Sequence, residues 1–314
     1  MSINNSKIII LLAAYNGEKY IYRQIKSILN QSLSLVDILI NIDKSQDDTV
    51  NIVKKLSEKY PQIQIFESNK KFGSSASNFL YMFKNADFSK CNYVALSDQD
   101  DIWNKDKLEN AVKKIKLGFS GYSSNVEAFW EKGKAKKVLK SQEQTKYDFL
   151  FESAGPGCTF VLTQELALNF QKFIINNESF VMQMKHYHDW LIYAFARANN
   201  YKWFIDDYFS LRYRQHSNND IGVNIGLKAF FKRSILVING EGIDQTLRLI
   251  KLLKLEKDDF VSKWYPITRI NFLKLAFYSK FCRRRLRDKF LFLIACLLLS
   301  LFYPKKIQKF NLKY

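Results

Sequence analysis

The sequence predicts an α/β fold, with a mostly parallel sheet flanked by helices and a basic helical region after it. Between residues 7 and 115, short apolar stretches alternate with segments of helical periodicity, as in successive β-α-β units. Residues 223–314 contain 20 Lys and Arg against 6 Asp and Glu, a net charge of +14 out of +19 for the whole chain. We therefore predict an α/β domain at residues 1–222 and a basic, aromatic helical region at residues 223–314.

Four strands and four helices are predicted in the first third of the chain. The strands are the apolar stretches Lys7–Ala14, Val36–Ile42, Gln62–Glu67 and Tyr93–Ser97. Helical spacing of apolar residues marks Tyr20–Asn30, Thr49–Lys59 and Ser74–Asn85, and another helix is predicted to begin near Asp106. Right-handed crossovers place helices on both faces of such a sheet. Ligands bind at the carboxyl ends of its strands, so the loops after Ala14, Ile42, Glu67 and Ser97 are predicted to line one crevice.

The remaining residues give fewer signals. Residues 116–222 lack a regular period, whereas 226–255 and 263–302 have helical patterns. The apolar run Phe290–Tyr303 is shorter than the ~20 residues that a membrane span needs. Four widely spaced cysteines, with no CxxC pair or Cys/His cluster, predict neither a zinc site nor a disulfide framework and fit a reducing compartment. No secretory signal peptide is predicted, because the run Ile8–Ala14 lacks a basic leader.

Three carboxylates, Asp98, Asp100 and Asp101, lie within four residues where the fourth predicted strand ends. Carboxylate oxygens are the ligands that Mg²⁺ or Mn²⁺ prefer, and such a metal offsets charge on a departing diphosphate. We predict Asp100 as the more direct ligand, Asp98 as a ligand or positioning group, and Asp101 as a helix cap. The alternative for the whole segment is a solvated acidic turn.

Two other strand-end loops carry candidate binding residues. Asp43 stands where a carboxylate can accept a hydrogen bond from a base or ribose, or it is a turn residue. Asp47 or Asp48 is expected to be a helix N-cap. The ring of Tyr15 is placed to pack against a base, and Gly17 is predicted to allow a tight turn.

Taken in order, these segments resemble family 2 glycosyltransferases with the GT-A fold, over about residues 7–222. The Asp-Gln-Asp-Asp-x-Trp form is similar to the rhamnosyltransferase-like branch. The family usually has Asp and Gly where this chain has Ile42 and Lys44, so Lys44 is expected to need a conformation that Gly normally supplies. The matching segments are Ala14–Gly17, Asp43–Asp47, Asn69 with Gly73 and Asn78-Phe79, and Ser97–Trp103 with Lys107-Leu108.

The resemblance implies an inverting transfer of a sugar, with rhamnose favoured, from a nucleotide-diphosphate donor to a glycan or polyprenyl-linked acceptor in cell-surface polysaccharide synthesis. The implied cofactor is Mn²⁺ or Mg²⁺, held by Asp98, Asp100 and His216. The donor is expected to contact Ala14, Tyr15, Asn16, Asp43, Asn78, Asp98 and Arg214.

The resemblance also places an acceptor side downstream. Asp189, in the segment His188-Asp189-Trp190, is expected to take the proton from the attacking hydroxyl. Its alternative is an N-cap of a helix at Trp190–Ala198, and His188 is expected to be a hydrogen-bonded structural histidine. The residues expected beside the acceptor are Gly157, Cys158, Thr159 and Trp190.

The basic C-terminal region predicts an anionic partner. Basic residues on both sides of the apolar run Phe290–Tyr303 fit docking on the inner face of the cytoplasmic membrane. The alternative is a core helix with a solvated basic face, such as one at a dimer interface. The oligomeric state is not predicted. The basic residues are Lys280, Arg283, Arg284, Arg285, Arg287 and Lys289 on one side and Lys305, Lys306 and Lys309 on the other.

Two other functions would each account for part of the sequence. A nucleotidyltransferase should have a glycine-rich basic loop after the first strand, and residues 13–20 contain only Gly17 and Lys19 of these types. A nucleic-acid-binding protein would explain the basic region and bind in a salt-dependent way. It would leave the strand-end carboxylates unexplained, because they repel phosphate without a metal. We therefore expect no nucleic-acid partner.

Overall fold

The computed structural model describes residues 3–66, 70–131, 133–182, 187–216, 235–236, 239–305, 307 and 310. The chain separates into two compact units. The first contains Met1–Ser141 and Ala154–Gly222, and the second contains Gln142–Ser153 and Val223–Tyr314. The segment Gln142–Ser153, which the sequence pattern placed in the first region, thus groups with the C-terminal residues.

A nine-stranded mixed sheet organises the first unit. Its strands are β1 (Ile8–Ala14), β2 (Val36–Ile42), β3 (Ile63–Phe66), β4 (Tyr93–Asp98), β5 (Ile102–Trp103), β6 (Gly121–Trp130), β7 (Ala135–Val138), β8 (Val161–Thr163) and β9 (Trp203–Gln215). They lie in the order β3-β2-β1-β4-β8-β6-β9-β5, and β7 pairs with β6. Strands β1 to β4 are parallel, whereas β8 runs antiparallel to β4. The predicted α/β fold is confirmed.

Helices flank this sheet. They are α1 (Ile21–Leu29), α2 (Thr49–Lys59), α3 (Ser75–Asn85), α4 (Lys107–Ile115), α5 (Gln164–Asn176), α6 (Glu178–Val181) and α7 (His188–Ala198). One apolar face of α1 buries Ile21, Ile25 and Ile28. The first turn of α3 is capped by the hydroxyl of Ser74, which accepts a hydrogen bond from the amide of Ser77.

The register of the parallel strands brings three loops to one edge. Ala14 pairs with Ile42 of β2, and Ala13 pairs with Asp98 of β4. All seven residues of β1 are buried, as expected of a central strand covered on both faces. The loops that follow β1, β2 and β4 therefore begin side by side.

Strands β6 and β9 have no regular signal in the sequence because their interior is partly polar. Ser123 and Ser124 of β6 are buried, and each is hydrogen-bonded. The indole N–H of Trp203 donates to the Ser123 hydroxyl at 3.0 Å, and the Ser124 hydroxyl donates to Ser210 at 2.6 Å. Buried polar groups satisfied in this way interrupt the apolar pattern without interrupting the strand.

Helices form most of the described part of the second unit. They are α8 (Glu241–Leu252), α9 (Arg269–Phe277), α10 (Ser279–Cys282) and α11 (Leu286–Phe302). The helical pattern expected across residues 263–302 is thus broken at Tyr278 and at Arg283–Arg285. None of the helices that the structure describes is both long and apolar enough to cross a bilayer.

The break before α11 allows a buried arginine to reach its partners. Arg284 donates to the carboxylate of Asp148 at 3.0 Å and to the carbonyl of Ser153 at 2.7 Å. Its neighbour Arg283 donates to the carbonyl of Phe151 at 2.6 Å. A buried guanidinium is tolerated only when it is paired and hydrogen-bonded. Arg284 is therefore buried and paired, and it does not fit the alternative of a solvated basic face.

Candidate active site

Main-chain amides join the loop after β1 to the loop after β2. The amide of Gly17 donates to the Thr49 hydroxyl at 2.7 Å, and that of Glu18 donates to the Asp47 carboxylate at 3.0 Å. Asp47 also accepts from the amide of Thr49 at 3.1 Å, at the start of α2. Asp48 precedes α2 but makes no side-chain cap, so the local N-terminal contact comes from Asp47. These bonds fix the two loops to each other.

Asn16 supplies the sharp turn after β1. Its φ of 45° lies in the left-handed region, which Asn tolerates better than most residues. Its amide donates to the Ser45 hydroxyl at 3.0 Å, and its side-chain oxygen accepts from the amide of Gln46 at 2.8 Å. The left-handed φ of this turn thus belongs to Asn16 and not to Gly17.

Asp43 is buried and organises the loop around it. Its carboxylate accepts from the amides of Lys44, Phe72 and Gly73 at 2.7, 3.0 and 2.8 Å. Lys44 does not adopt a positive φ, so the expected conformational demand on it is wrong. Gly73, with a φ of 73°, carries the left-handed conformation in this part of the site. The predicted base or ribose contact of Asp43 stays a prediction.

Asn78 faces the interior. It is 2% exposed, its amide group donates to the carbonyl of Asn41 at 3.1 Å, and its oxygen accepts from the Asn41 side chain at 2.7 Å. This pair ties α3 to β2. The predicted donor contact of Asn78 stays a prediction, although its side chain is paired with Asn41 and hidden from solvent in this structure. Ala14 is also buried, and its carbonyl accepts from the amide of Asp43 at 2.8 Å.

The acidic loop after β4 meets the end of β9. The Nε of Arg214 donates to the carbonyl of Asp100 at 2.8 Å, and Nε2 of His216 lies 2.8 Å from Oδ2 of Asp100. The ring of His216 stacks on Tyr20, with centroids 5.2 Å apart. The guanidinium of Arg214 lies over the same tyrosine ring at 4.5 Å. Three predicted site residues, distant in sequence, are thus brought together.

Asp101 turns inward and is not the predicted helix cap. It is fully buried and accepts from the amide of Arg214 at 3.1 Å, whereas Asp106 precedes α4. Burial raises the pKa of the Asp101 carboxyl well above its usual range, and the charges of Asp100 and Asp98 add to this effect. Asp101 therefore belongs to the floor of the site.

The residues available to a divalent metal form two groups. Asp98, Asp101 and Cys158 offer ligand atoms within 4.8 Å of one another, and Asp100 is joined to His216. Burial raises the pKa of the Cys158 thiol, and a protonated thiol is a poor ligand for a hard cation. Asp100 and His216 offer the oxygen and nitrogen donors that Mn²⁺ accepts. The predicted trio of Asp98, Asp100 and His216 is not gathered into one cluster, because Asp98 groups with the buried pair.

The segment Gly157–Thr159 forms a 3₁₀ helix beside α7. Cys158 and Thr159 are fully buried, and the Thr159 hydroxyl donates to the carbonyl of Pro156 at 2.7 Å. Their predicted acceptor contacts stay predictions, although these side chains face the interior in this structure. A Cβ on Gly157 would lie 2.6 Å from Nε2 of His188. Gly157 thus allows the histidine to approach its backbone.

Asp189 lies in the first turn of α7. The helix begins at His188, with Tyr187 as the preceding residue, so the structure does not support the alternative of Asp189 as the N-cap. Its carboxylate accepts from the amide of Trp190 at 2.7 Å and is partly exposed. His188 stacks on Phe79, with centroids 4.6 Å apart. A carboxylate at a helix N-terminus is favoured by the helix dipole.

Two residues gain a role that the sequence pattern did not assign. The sequence pattern places Gln99 in the acidic motif without a role of its own. In the structure its side chain hydrogen-bonds the turn after β1. Lys107 is completely buried, with Nζ 3.5 Å from the centroid of the Trp103 ring, and burial lowers its pKa to about 7. The four-residue spacing of Trp103 and Lys107 was the sequence signal from which this contact could have been predicted. Asn69, His186 and Ser217–Asn219 lie outside the described residues.

Comparisons with known proteins agree on one family. The glycosyl transferase family 2 profile matches residues 9–174. The dTDP-rhamnosyl transferase RfbG of Shigella flexneri is 40% identical over 293 residues, covering 93% of this chain and 100% of that protein. The UDP-Glc:alpha-D-GlcNAc-diphosphoundecaprenol beta-1,3-glucosyltransferase WfaP of Escherichia coli is 29% identical over 36% of this chain and 45% of its own length.

Solved structures share the fold. S. aureus TarS 1-349 in complex with UDP-GlcNAc aligns with a TM-score of 0.54 and 14% identity, over 98% of this chain and 92% of that chain. The mannosyltransferase PcManGT from Pyrobaculum calidifontis, in complex with GDP-Man and Mn2+, aligns with a TM-score of 0.50 and 14% identity, over 95% and 88%. At these identities the likeness concerns architecture alone.

Proposed function

The chain belongs to glycosyl transferase family 2, and from this membership we propose that it transfers rhamnose from dTDP-rhamnose to a glycan or polyprenyl-linked acceptor. The proposed donor rests on the 40% identity to a dTDP-rhamnosyl transferase along that protein's whole length. Family membership does not favour the nucleotidyltransferase alternative.

The donor is assigned to the edge formed by the loops after β1, β2 and β4. Tyr15 is 50% exposed there, so its ring is available to a base. Asp98 stands at the end of β4, next to the turn that carries Tyr15. Arg214, held against the carbonyl of Asp100, offers a cation near the diphosphate. Asp43 stabilises the loop after β2 by accepting three hydrogen bonds from main-chain amides.

Asp100 and His216 are the residues assigned to Mn²⁺ or Mg²⁺, with Asp98 as a further oxygen donor or a donor-sugar contact. When bound, such a metal offsets the charge on the nucleotide diphosphate. Asp189 accepts the proton of the acceptor hydroxyl while that oxygen attacks the anomeric carbon from the face opposite the diphosphate. The bond from the anomeric carbon to the diphosphate breaks in the same step, so the configuration inverts. Trp190, beside Asp189, borders the acceptor.

A donor screen tests this proposal. The purified chain should release dTDP from dTDP-rhamnose in the presence of Mn²⁺ and a membrane-extracted glycolipid acceptor. UDP-glucose, UDP-GlcNAc and GDP-mannose should give at least roughly tenfold lower rates, since loss of one good contact costs about 1.4 kcal/mol. Release of UDP or GDP at the higher rate would replace the donor. No release from any nucleotide sugar, with folded protein, would contradict the proposal.

The second part of the proposal concerns the C-terminal unit and an anionic membrane. Helices α9 and α11 are joined where Arg269 donates to the carbonyl of Leu301 at 2.6 Å. Apolar side chains on both helices are exposed, including Phe277 at 82% and Leu286 at 83%. Exposed Lys274, Lys280, Arg287 and Lys305 accompany them. Exposed apolar side chains on helices that also carry exposed basic residues suit the interface of an anionic bilayer.

Vesicle flotation tests the membrane contact. The chain should float with vesicles of phosphatidylglycerol and phosphatidylcholine, and less with phosphatidylcholine alone. Replacing both Phe277 and Phe290 by Ser should reduce the bound fraction at least roughly tenfold, because each phenyl group contributes up to about 1.5–3 kcal/mol when fully buried. Leu117→Ser is the matched control, since Leu117 is an exposed apolar residue of the first unit. Equal loss in the control, or no binding to anionic vesicles, would contradict the membrane contact.

A further inference from the structure

The side chain of Gln99 reaches from the acidic loop to the turn after β1. Its Oε1 accepts from the amide of Tyr15 at 2.7 Å, and its Nε2 donates to the carbonyl of the same residue at 2.7 Å. Two bonds of opposite direction fix both main-chain polar groups of Tyr15. Because Gln99 is covalently bound to Asp98 and Asp100, these bonds set the position of Tyr15 relative to both carboxylates.

Gly17 makes room for this contact. A Cβ on Gly17 would lie 2.2 Å from Oε1 and 2.7 Å from Cδ of Gln99, which no real Cβ tolerates. Gly17 has no left-handed φ, so its backbone would accept alanine. The glycine is therefore required by the approach of Gln99. An alanine there would push the amide of Gln99 away from Tyr15, since the end of a flexible side chain yields before the backbone does.

The other side of the turn is held separately. Asn16 hydrogen-bonds Ser45 in the loop after β2, and Gly17 hydrogen-bonds Thr49 at the start of α2. Those contacts orient the turn against β2, whereas Gln99 connects it to the loop after β4. Loss of the Gln99 contact would leave the strand pairing of Ala13 with Asp98 intact but would release the peptide groups of Tyr15 from the loop after β4.

We infer that Gln99 is a positioning residue of the donor site, which holds Tyr15 at a fixed separation from Asp98 and Asp100 and uses the missing side chain of Gly17 to do so. The inference rests on the proposed function, in which Tyr15 meets the base and the two carboxylates act at the diphosphate. A donor molecule contains both the base and the diphosphate, so it must match that separation. Binding of the acceptor does not depend on the separation.

The test is a double-mutant cycle of Gln99→Ala and Gly17→Ala. Each single variant should raise the KM for dTDP-rhamnose and the Kd for dTDP roughly tenfold, the size expected for about one lost net hydrogen bond or slightly more. The acceptor KM should not change. The double variant should be no worse than Gln99→Ala alone, because alanine at position 17 then meets no amide. A merely destabilising change would not give this rescue.

Control variants test whether the effect is specific to positions 99 and 17 and whether it comes from the lost hydrogen bonds. Gln64→Ala removes an exposed glutamine from β3, and Gly242→Ala adds a methyl group where no atom lies within 4 Å, so both should leave the dTDP affinity unchanged. Gln99→Met keeps the side-chain volume without its hydrogen bonds and should reproduce the roughly tenfold loss, should Gln99→Ala fold poorly. Thermal unfolding monitors all variants.

Three results would overturn the inference. Wild-type affinity for dTDP in Gln99→Met would remove the positioning role, and additive defects in the double variant would remove the role of Gly17. In both cases the proposed donor would stand, because the wild-type chain binds dTDP. Failure of the folded wild-type chain to bind dTDP would overturn the proposed donor, and the inference with it.

Discussion

Asp189→Asn should lower kcat by roughly 10²–10⁴-fold, the usual contribution of a positioned general base. Asparagine keeps the shape of the side chain and can still accept from the amide of Trp190, but it cannot take a proton from the acceptor hydroxyl. The dTDP affinity should stay at the wild-type value, because the donor edge is formed by other loops. Initial rates of dTDP release at saturating donor and acceptor measure the effect.

Asp207→Asn provides the matched control for this variant. Asp207 is an exposed aspartate of β9, so the same chemical change there should leave kcat within a factor of about two. A kcat of Asp189→Asn close to that of the wild-type chain would exclude Asp189 as the base. A fall in dTDP affinity equal to the fall in kcat would assign Asp189 to the donor instead.

Asp100→Asn should lower kcat/KM for the donor by roughly 10²–10³-fold or more, since it removes a proposed carboxylate ligand of the metal that offsets the diphosphate charge. The hydrogen bond from Arg214 ends on the Asp100 carbonyl and survives the change, so the loop should keep its path. The Mn²⁺ concentration for half-maximal activity should rise in parallel. Rates measured over a Mn²⁺ titration, after removal of metal with EDTA, test both expectations.

Asp48→Asn is the corresponding control, because Asp48 is an exposed carboxylate in the neighbouring loop after β2. It should respond to Mn²⁺ like the wild-type chain. Full activity of the wild-type chain in EDTA would contradict metal dependence altogether. An unchanged Mn²⁺ response in Asp100→Asn, with lowered activity, would leave the metal elsewhere in the acidic cluster.

The first half of the fold could be predicted from periodicity because its elements obey simple patterns. Strand β2 and helix α2 have the predicted bounds, Val36–Ile42 and Thr49–Lys59. Strand β6 could not be predicted, since each of its buried Ser123, Ser124 and Asn125 has a hydrogen-bond partner 80 or more residues away. A sequence window holds no information about such partners.

The site residues, like the fold, could be predicted only in part. The order of motifs predicted the meeting of Asp100, Arg214 and His216, whose contacts span more than 100 residues. It could not show that Asn78 pairs with Asn41, or that Cys158 faces inward, because both facts depend on which side of an element packs against its neighbour. The requirement for Gly17 was also hidden, since it comes from a side chain 82 positions away rather than from its own backbone.

Tyr15 illustrates how such a site can diversify. Its peptide groups are fixed by Gln99, and its ring is half exposed and contributes nothing to that attachment. If the ring of Tyr15 packs against the base, as proposed, a different side chain at position 15 would meet a different base without disturbing these hydrogen bonds. Donor preference could then change by a single substitution at this position while the fold that holds its peptide groups stays the same.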